Sequence, residues 1–167
     1  MSELTPLAAI RTPQELIALG PVMAHQLACS VLSSGGPATA GETALRLMEP
    51  AADRDLLPII GRLAVKCGRR VNDPRTEQFT LEVYMEDLRQ YPADIAAAAL
   101  MFWPSVSKWW PDWCELERLL DKLMVERRAD VEALRRKAGL PSLGASALFG
   151  GETGMLVRQA ARDLGML

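Results

Sequence analysis

The sequence has few of the residues from which metal and catalytic sites are usually built. Among its 167 residues are one histidine, His25, and three cysteines, Cys29, Cys67 and Cys114. The cysteines are odd in number, widely spaced and without a C-x-x-C pair, so they indicate small buried thiols and not a disulfide framework. A zinc site needs a cluster of ligands, and His25 has none near it in sequence. We therefore expect a partly exposed or core histidine and no metal site.

The motifs of nucleophilic and nucleotide-dependent catalysis are also missing. No Ser-His-Asp, Cys-His or G-x-S-x-G arrangement is visible, and the paired glycines 35–36 are not followed by G-K-[ST]. The carboxylates of Glu82, Glu86 and Asp87 have no histidine beside them. We predict a protein that is not an enzyme and needs no cofactor.

The sequence has little that would form a sheet. Aromatic residues make up only 5% of the chain, and the 49% of hydrophobic residues are mainly alanine and leucine, which favour helices. No segment alternates apolar and polar residues with the valine, isoleucine and threonine content of a strand. The predicted class is all-α, a compact helical domain of about four to six helices.

Long apolar runs and a dominant charge are absent as well. No run approaches the roughly 18 apolar residues of a membrane span, and the start M-S-E-L-T-P lacks the features of a signal peptide. We therefore predict a cytoplasmic protein without a membrane partner. The net charge is −2 and the charges are mixed, which argues against a large nucleic-acid footprint.

Helix-breaking residues divide the chain. Thr12, Pro13 and Glu15 form a helix start that Gly20-Pro21 interrupts, and Val22 to Leu32 can form a second short helix. The glycines, serines and proline of Ser33–Thr39 predict a linker. These features define an N-terminal helical arm, 1–50, and the sequence leaves open whether this arm packs on the rest.

The remainder is predicted to be a helical core domain, 53–139, and a flexible tail, 140–167. The last predicted helix opens at Pro111-Asp112, and its final turns, with Arg135 and Arg136, are expected to project beyond the core. Within the tail, Met155 to Leu164 can form a short amphipathic helix that either frays or docks on a partner.

All four tryptophans fall between Tyr91 and Leu116. Trp103 and Trp113 are expected in the core. Trp109 and Trp110 are adjacent in a loop and cannot point the same way, so one of them is expected at the surface. We take Lys108, Trp109 and Trp110 as candidate partner-binding residues, together with Leu156, Arg158 and Leu164 of the tail.

A second candidate surface is basic. The end of the last helix carries a group of cations that could contact nucleic acid, although interleaved acids favour a solvated face. The residues are Arg127, Arg128, Arg135, Arg136 and Lys137.

Residues 53–127 resemble a known family. The motifs are D-P-x-x-x-x-x-x-L-E-x-Y-x-x-x-L, then Y-P-A-D-I-A-A-A-A-L, then K-W-W-P-D-W-C-E-L. They are similar to small helical phage and prophage proteins of the replicative-helicase loader or inhibitor type, which carry L-x-x-Y-P-x-x-x-x-x-x-A-L followed by F-P-x-x-x-E-L. The matching residues are Leu88, Tyr91, Pro92, Ala99, Leu100, Trp110, Pro111, Glu115 and Leu116. The resemblance covers under half of the chain and leaves residues 1–50 without a counterpart.

What the resemblance implies is a non-enzymatic adaptor that binds a hexameric replicative helicase and assists or inhibits its loading. The alternatives are a DNA-binding regulator, with DNA the weaker partner, and a small inhibitor of a host complex that acts through the tryptophan loop. The mixed surface is also compatible with a homodimer.

Overall fold

The computed structural model describes residues 10–68 and 74–143. This part of the chain contains isolated backbone bridges and six α-helices, which confirms the all-α prediction. The helices are α1 (Pro13–Ser34), α2 (Pro37–Arg46), α3 (Asp53–Lys66), α4 (Pro74–Leu88), α5 (Ala93–Val106) and α6 (Trp113–Lys137).

Helix α1 begins as predicted but is longer than predicted. The Thr12 hydroxyl accepts a hydrogen bond from the backbone N–H of Glu15, whose carboxylate accepts one from the N–H of Thr12, which completes a capping box. Gly20 has φ 75° and ψ 165°, a conformation outside the helical region that suits glycine. The helix resumes at Pro21 and continues to Ser34, so Gly20 produces a kink inside α1.

The linker predicted at Ser33–Thr39 is shorter than expected. Only Gly35 and Gly36 separate α1 from α2, because Pro37 already occupies the first turn of α2. A Cβ at Gly35 would lie 2.7 Å from the carbonyl oxygen of Val31, so a larger residue would collide with the end of α1.

The N-terminal arm packs on the remainder of the described chain and shares its core. Helix α1 packs against α2, α5 and α6, and α2 also packs against α6. The large side chains in this core come from α1, α3, α4, α5, α6 and the turn after α2, whereas α2 contributes the small residues Ala40 and Ala44. Among the large side chains with almost no exposure are Leu16, Leu47, Leu56, Leu63, Leu88, Leu100, Leu116, Leu120 and Leu134.

Helix α5 lies at the centre of the bundle, in contact with α1, α3 and α6. Its buried side is formed largely by alanines, and Ala93, Ala96, Ala97 and Ala99 have no exposed surface. Small side chains at a helix contact allow the axes to approach closely. The alanine run therefore lets α5 pack tightly in the centre of the bundle.

A buried ion pair joins three parts of the fold. The guanidinium of Arg127, which is 3% exposed, donates two hydrogen bonds to the Asp94 carboxylate at 2.5 and 3.0 Å. Its Nη1 also donates to the carbonyl oxygen of Leu47 at 2.7 Å. This single side chain of α6 thus binds both the first turn of α5 and the end of α2.

The expectation that the last turns of α6 project is wrong. Val131 and Leu134 are buried, and α2 packs against this end of the helix. A Cβ at Gly41 would lie 3.4 Å from the Cβ of Ala138, so the two helices are in close contact there. The Lys137 ammonium donates to the carbonyl oxygens of Val31 and Leu32 at 3.0 and 2.5 Å, at the end of α1.

Contrary to the expectation from the sequence, one helix in the described residues, α1, is long and apolar enough to cross a membrane, judged by length and composition alone. Core helices of soluble proteins and signal sequences pass the same test. Leu16, Ala24, Ala28 and Val31 of α1 are buried in the bundle, so its apolar character also serves the core.

We expect Asp94→Ala to destabilise the fold strongly, because it leaves the buried Arg127 guanidinium without its anionic partner. The free energy of unfolding should fall by about 3–5 kcal/mol. Urea denaturation followed by circular dichroism measures this change.

The Arg89–Asp53 ion pair provides the control, since both of its side chains are about half exposed. Asp53→Ala should lower the free energy of unfolding far less than Asp94→Ala does. The double variant Asp94→Leu/Arg127→Met should recover most of the lost stability, because it leaves no buried charge. Equal losses for Asp94→Ala and Asp53→Ala would contradict the assignment.

Candidate functional site

The loop between α5 and α6 is held against the end of α3. The N–H of Gly68 donates to the carbonyl oxygen of Lys108 at 2.8 Å, and the N–H of Trp110 donates to the carbonyl oxygen of Gly68 at 2.9 Å. Trp103 is buried, as expected, and its indole N–H donates to the carbonyl oxygen of Trp109 at 2.8 Å. The backbone of the loop is therefore fixed on both sides of Trp109.

Trp109 lies at the surface. A Cβ at Gly68 would stand 2.9 Å from its ring, so one part of the ring lies directly on the Gly68 backbone. The residue nevertheless remains 57% exposed. The Lys108 ammonium lies 5.5 Å from the ring centroid, within cation–π distance. The expectation that one of the two adjacent tryptophans is exposed is confirmed.

The neighbouring Trp110 is only partly exposed, because it packs against α4. Its ring centroid lies 6.0 Å from that of Tyr84, and the Trp113 centroid lies 5.3 Å from the same ring. The Tyr84 hydroxyl donates to the carbonyl oxygen of Pro111, and burial raises the pKa of Tyr84 to about 12. Trp110 and Trp113, which is also half-buried, thus attach α4 to the α5–α6 loop.

Helix α5, which precedes the loop that carries Trp109, also has exposed apolar side chains. Met101, Phe102 and Val106 are all more than half exposed. The helical spacing of Ile95, Ala99 and Phe102 predicts instead that Phe102 faces inward. Phe102 and Val106 are four residues apart and therefore neighbours on the helix surface. We define the α5 face as Met101, Phe102, Val106 and Trp109.

The basic residues at the end of α6 do not form one exposed patch. Arg127 is buried in the ion pair with Asp94, which corrects its assignment as a candidate nucleic-acid contact. Lys137 binds carbonyl oxygens at the end of α1, and Arg135 donates to the carbonyl oxygen of Pro141. Arg136 is exposed and Arg128 is half-buried.

The remaining candidates lie outside the described residues. Leu156, Arg158 and Leu164 belong to the C-terminal stretch 144–167, which the structure does not describe. The described chain ends at Leu143, which packs against the core.

A second group of functional side chains joins α1 to α6. The Nδ1 atom of His25 lies 2.8 and 3.0 Å from the two carboxylate oxygens of Asp130. Its Nε2 atom lies 3.6 Å from the Cys29 sulfur. His25 has a side chain that is 46% exposed, Cys29 is exposed and Asp130 is buried. The expectation of a partly exposed histidine is confirmed, but His25 has a partner that the neighbouring sequence did not show.

The carboxylate controls the chemistry of this group. The hydrogen bond that His25 donates to the Asp130 carboxylate, supported by the negative charge of that carboxylate, raises the pKa of His25 above its ordinary value of 6.5. A carboxylate, an imidazole and a thiol in this spatial order occur in sites with a nucleophilic cysteine. The carboxylate oxygen, the imidazole nitrogen and the sulfur are also the atoms that bind metal ions. The three ligand atoms lie within 4.8 Å of one another.

Part of this group could have been found in the sequence. His25 and Cys29 are four residues apart on a segment predicted to be helical, and such residues share a face. Asp130 follows 105 residues after His25, so only tertiary packing brings it there. The expectation that all cysteines are buried holds for Cys67, whereas Cys29 and Cys114 are exposed.

Comparison of the chain with family models, with curated proteins and with solved structures finds no match.

We expect the pKa of His25 to fall toward 6.5 in Asp130→Asn, because the variant loses the charge that stabilises the imidazolium. His25 is the only histidine in the sequence, so its Hε1 signal in a proton NMR titration reports this value directly. The pair stabilises the fold fully below about pH 6.5, and its contribution is lost as the pH rises through the raised pKa. Identical titrations of the two proteins would contradict the assignment.

Proposed function

We propose that this protein is a non-enzymatic adaptor that binds a protein partner through the α5 face, with a replicative helicase as that partner. The observation that carries the proposal is the exposed apolar surface of Met101, Phe102, Val106 and Trp109. Groups of large exposed apolar side chains are typical of interaction sites. The choice of a replicative helicase as the partner rests on the resemblance of residues 53–127 to loader and inhibitor proteins.

The rigid setting of Trp109 supports this use. Binding orders side chains and loops, and that ordering opposes association. Here the backbone around Trp109 is already held by hydrogen bonds to Gly68 and Trp103. An aromatic side chain presented in this way is typical of the residues that dominate binding energy.

The charge beside the face indicates the chemistry of the partner surface. Lys108 is exposed and lies next to Trp109. An apolar groove with an acidic group at its edge would complement both side chains. In this proposal the adaptor works in the cytoplasm, needs no cofactor, and either assists or inhibits helicase loading.

The alternative of a DNA-binding regulator has less support. Of its five candidate residues, Arg127 is buried and Lys137 and Arg135 bind backbone carbonyls. The alternative of a host-complex inhibitor acts through the tryptophan loop, which shares Trp109 with the α5 face.

The experiment is an affinity pulldown from bacterial lysate, with the captured proteins quantified by mass spectrometry. The full chain should enrich the replicative helicase, and Phe102→Ser and Trp109→Ser should each reduce the enrichment at least tenfold. Leu45→Ser is the matched control, because Leu45 is 66% exposed on α2, and it should bind normally. Circular dichroism establishes that each variant is folded.

A chain that stops after Leu143 keeps all residues up to the end of the described core and tests the tail residues Leu156, Arg158 and Leu164. Retained enrichment would assign binding to the α5 face, and lost enrichment would add the tail to the contact. Absence of the helicase from the wild-type capture would contradict the helicase proposal. A hydrolytic activity that Cys29→Ser abolishes would contradict the non-enzymatic proposal.

A further inference from the structure

The His25–Cys29–Asp130 group lies apart in sequence from the α5 face and is not used by the proposed function. His25 and Cys29 follow the Gly20 kink on the same side of α1, and both are accessible to solvent. An imidazole nitrogen and a thiol are the two ligand types that zinc proteins use most.

The distance between the two ligand atoms fits tetrahedral coordination. Zinc binds nitrogen at about 2.0–2.1 Å and sulfur at about 2.3 Å, so at a tetrahedral angle the two atoms stand about 3.6 Å apart. The separation of His25 Nε2 and Cys29 Sγ is 3.6 Å. At this separation both atoms can lie within bonding distance of one tetrahedral ion.

Asp130 prepares the histidine for this role. Its carboxylate accepts a hydrogen bond at Nδ1, which places the imidazole proton there and leaves the Nε2 lone pair directed away from Asp130. Ligating histidines in metalloproteins commonly donate their other N–H to a carboxylate, which orients the ring and makes the nitrogen more basic. The buried position of Asp130 on α6 holds this partner in place.

The local charge also favours a cation. Asp130 and Glu126, one turn apart on α6, both act electrostatically on His25, and Arg127 opposes them. The guanidinium of Arg127, however, is already bound to the Asp94 carboxylate. A divalent ion at His25 would therefore be attracted by the carboxylates of Asp130 and Glu126.

We propose that His25 Nε2 and Cys29 Sγ bind a zinc-class divalent ion, with Asp130 as the outer carboxylate that orients the imidazole. The nitrogen and sulfur ligands select such an ion over magnesium and calcium, which prefer oxygen. The Cys29 thiol loses its proton on binding, and water fills the other positions. The ion would connect two successive turns of α1 directly and α6 through Asp130.

The test is titration of the metal-free full chain with zinc chloride in a calorimeter and with cobalt chloride in a spectrophotometer. Zinc should bind and magnesium chloride should give no heat of binding. Cobalt should produce a near-ultraviolet band from sulfur-to-metal charge transfer. Cys29→Ser should remove this band, and His25→Ala should weaken zinc binding at least tenfold. Asp130→Asn should weaken it about 10–100-fold.

Cys114→Ser is the matched control, because Cys114 is also an exposed cysteine on a helix, and it should bind like wild type. His25 and Cys29 are at accessible positions, so circular dichroism should show that their variants remain folded. No zinc binding by the wild type, or a cobalt band that survives in Cys29→Ser, would overturn the proposal. These outcomes are independent of whether a helicase is captured.

Discussion

The Asp94–Arg127 ion pair is the interaction on which the arrangement of the helices most depends. Charges removed from water are tolerated only when they are paired and hydrogen-bonded, and this pair is satisfied by groups from three segments. If α6 slid by one turn along α5, the buried guanidinium of Arg127 would lose its hydrogen bonds to Asp94 and Leu47. The pair therefore excludes alternative packings of α2, α5 and α6 that hydrophobic contact alone would allow.

Much of the fold could be predicted from local sequence. The capping box at Thr12 and Glu15 and the N-cap at Asp112 each mark a helix start by a side chain that binds a nearby backbone N–H. The differences arose where distant packing overrode local rules. Trp103-Pro104 predicts the end of α5, because the residue before a proline disfavours the helical conformation, yet the helix runs to Val106. Likewise α6 remains packed to its end because α2 covers it, which no local pattern reveals.

The candidate sites were less predictable than the fold. Trp109 could be named from the proline-bounded loop, but the remaining side chains of the α5 face could not. Phe102 and Val106 follow a strongly apolar run, and the sequence gives no sign that only the alanine side faces the core. The Asp130 partner of His25 requires α1 to pack beside α6, a contact between helices about a hundred residues apart in sequence.

Helix α5 has two sides with different evolutionary freedom. On the alanine side a larger residue has no room, so the fold alone restricts what natural variants can carry at Ala96, Ala97 and Ala99. On the other side Phe102 and Val106 lie in solvent, where packing imposes no such restriction. Sequence variation across this one helix therefore separates selection for folding from selection for binding. Apolar residues that persist on the solvent side would indicate selection for binding alone.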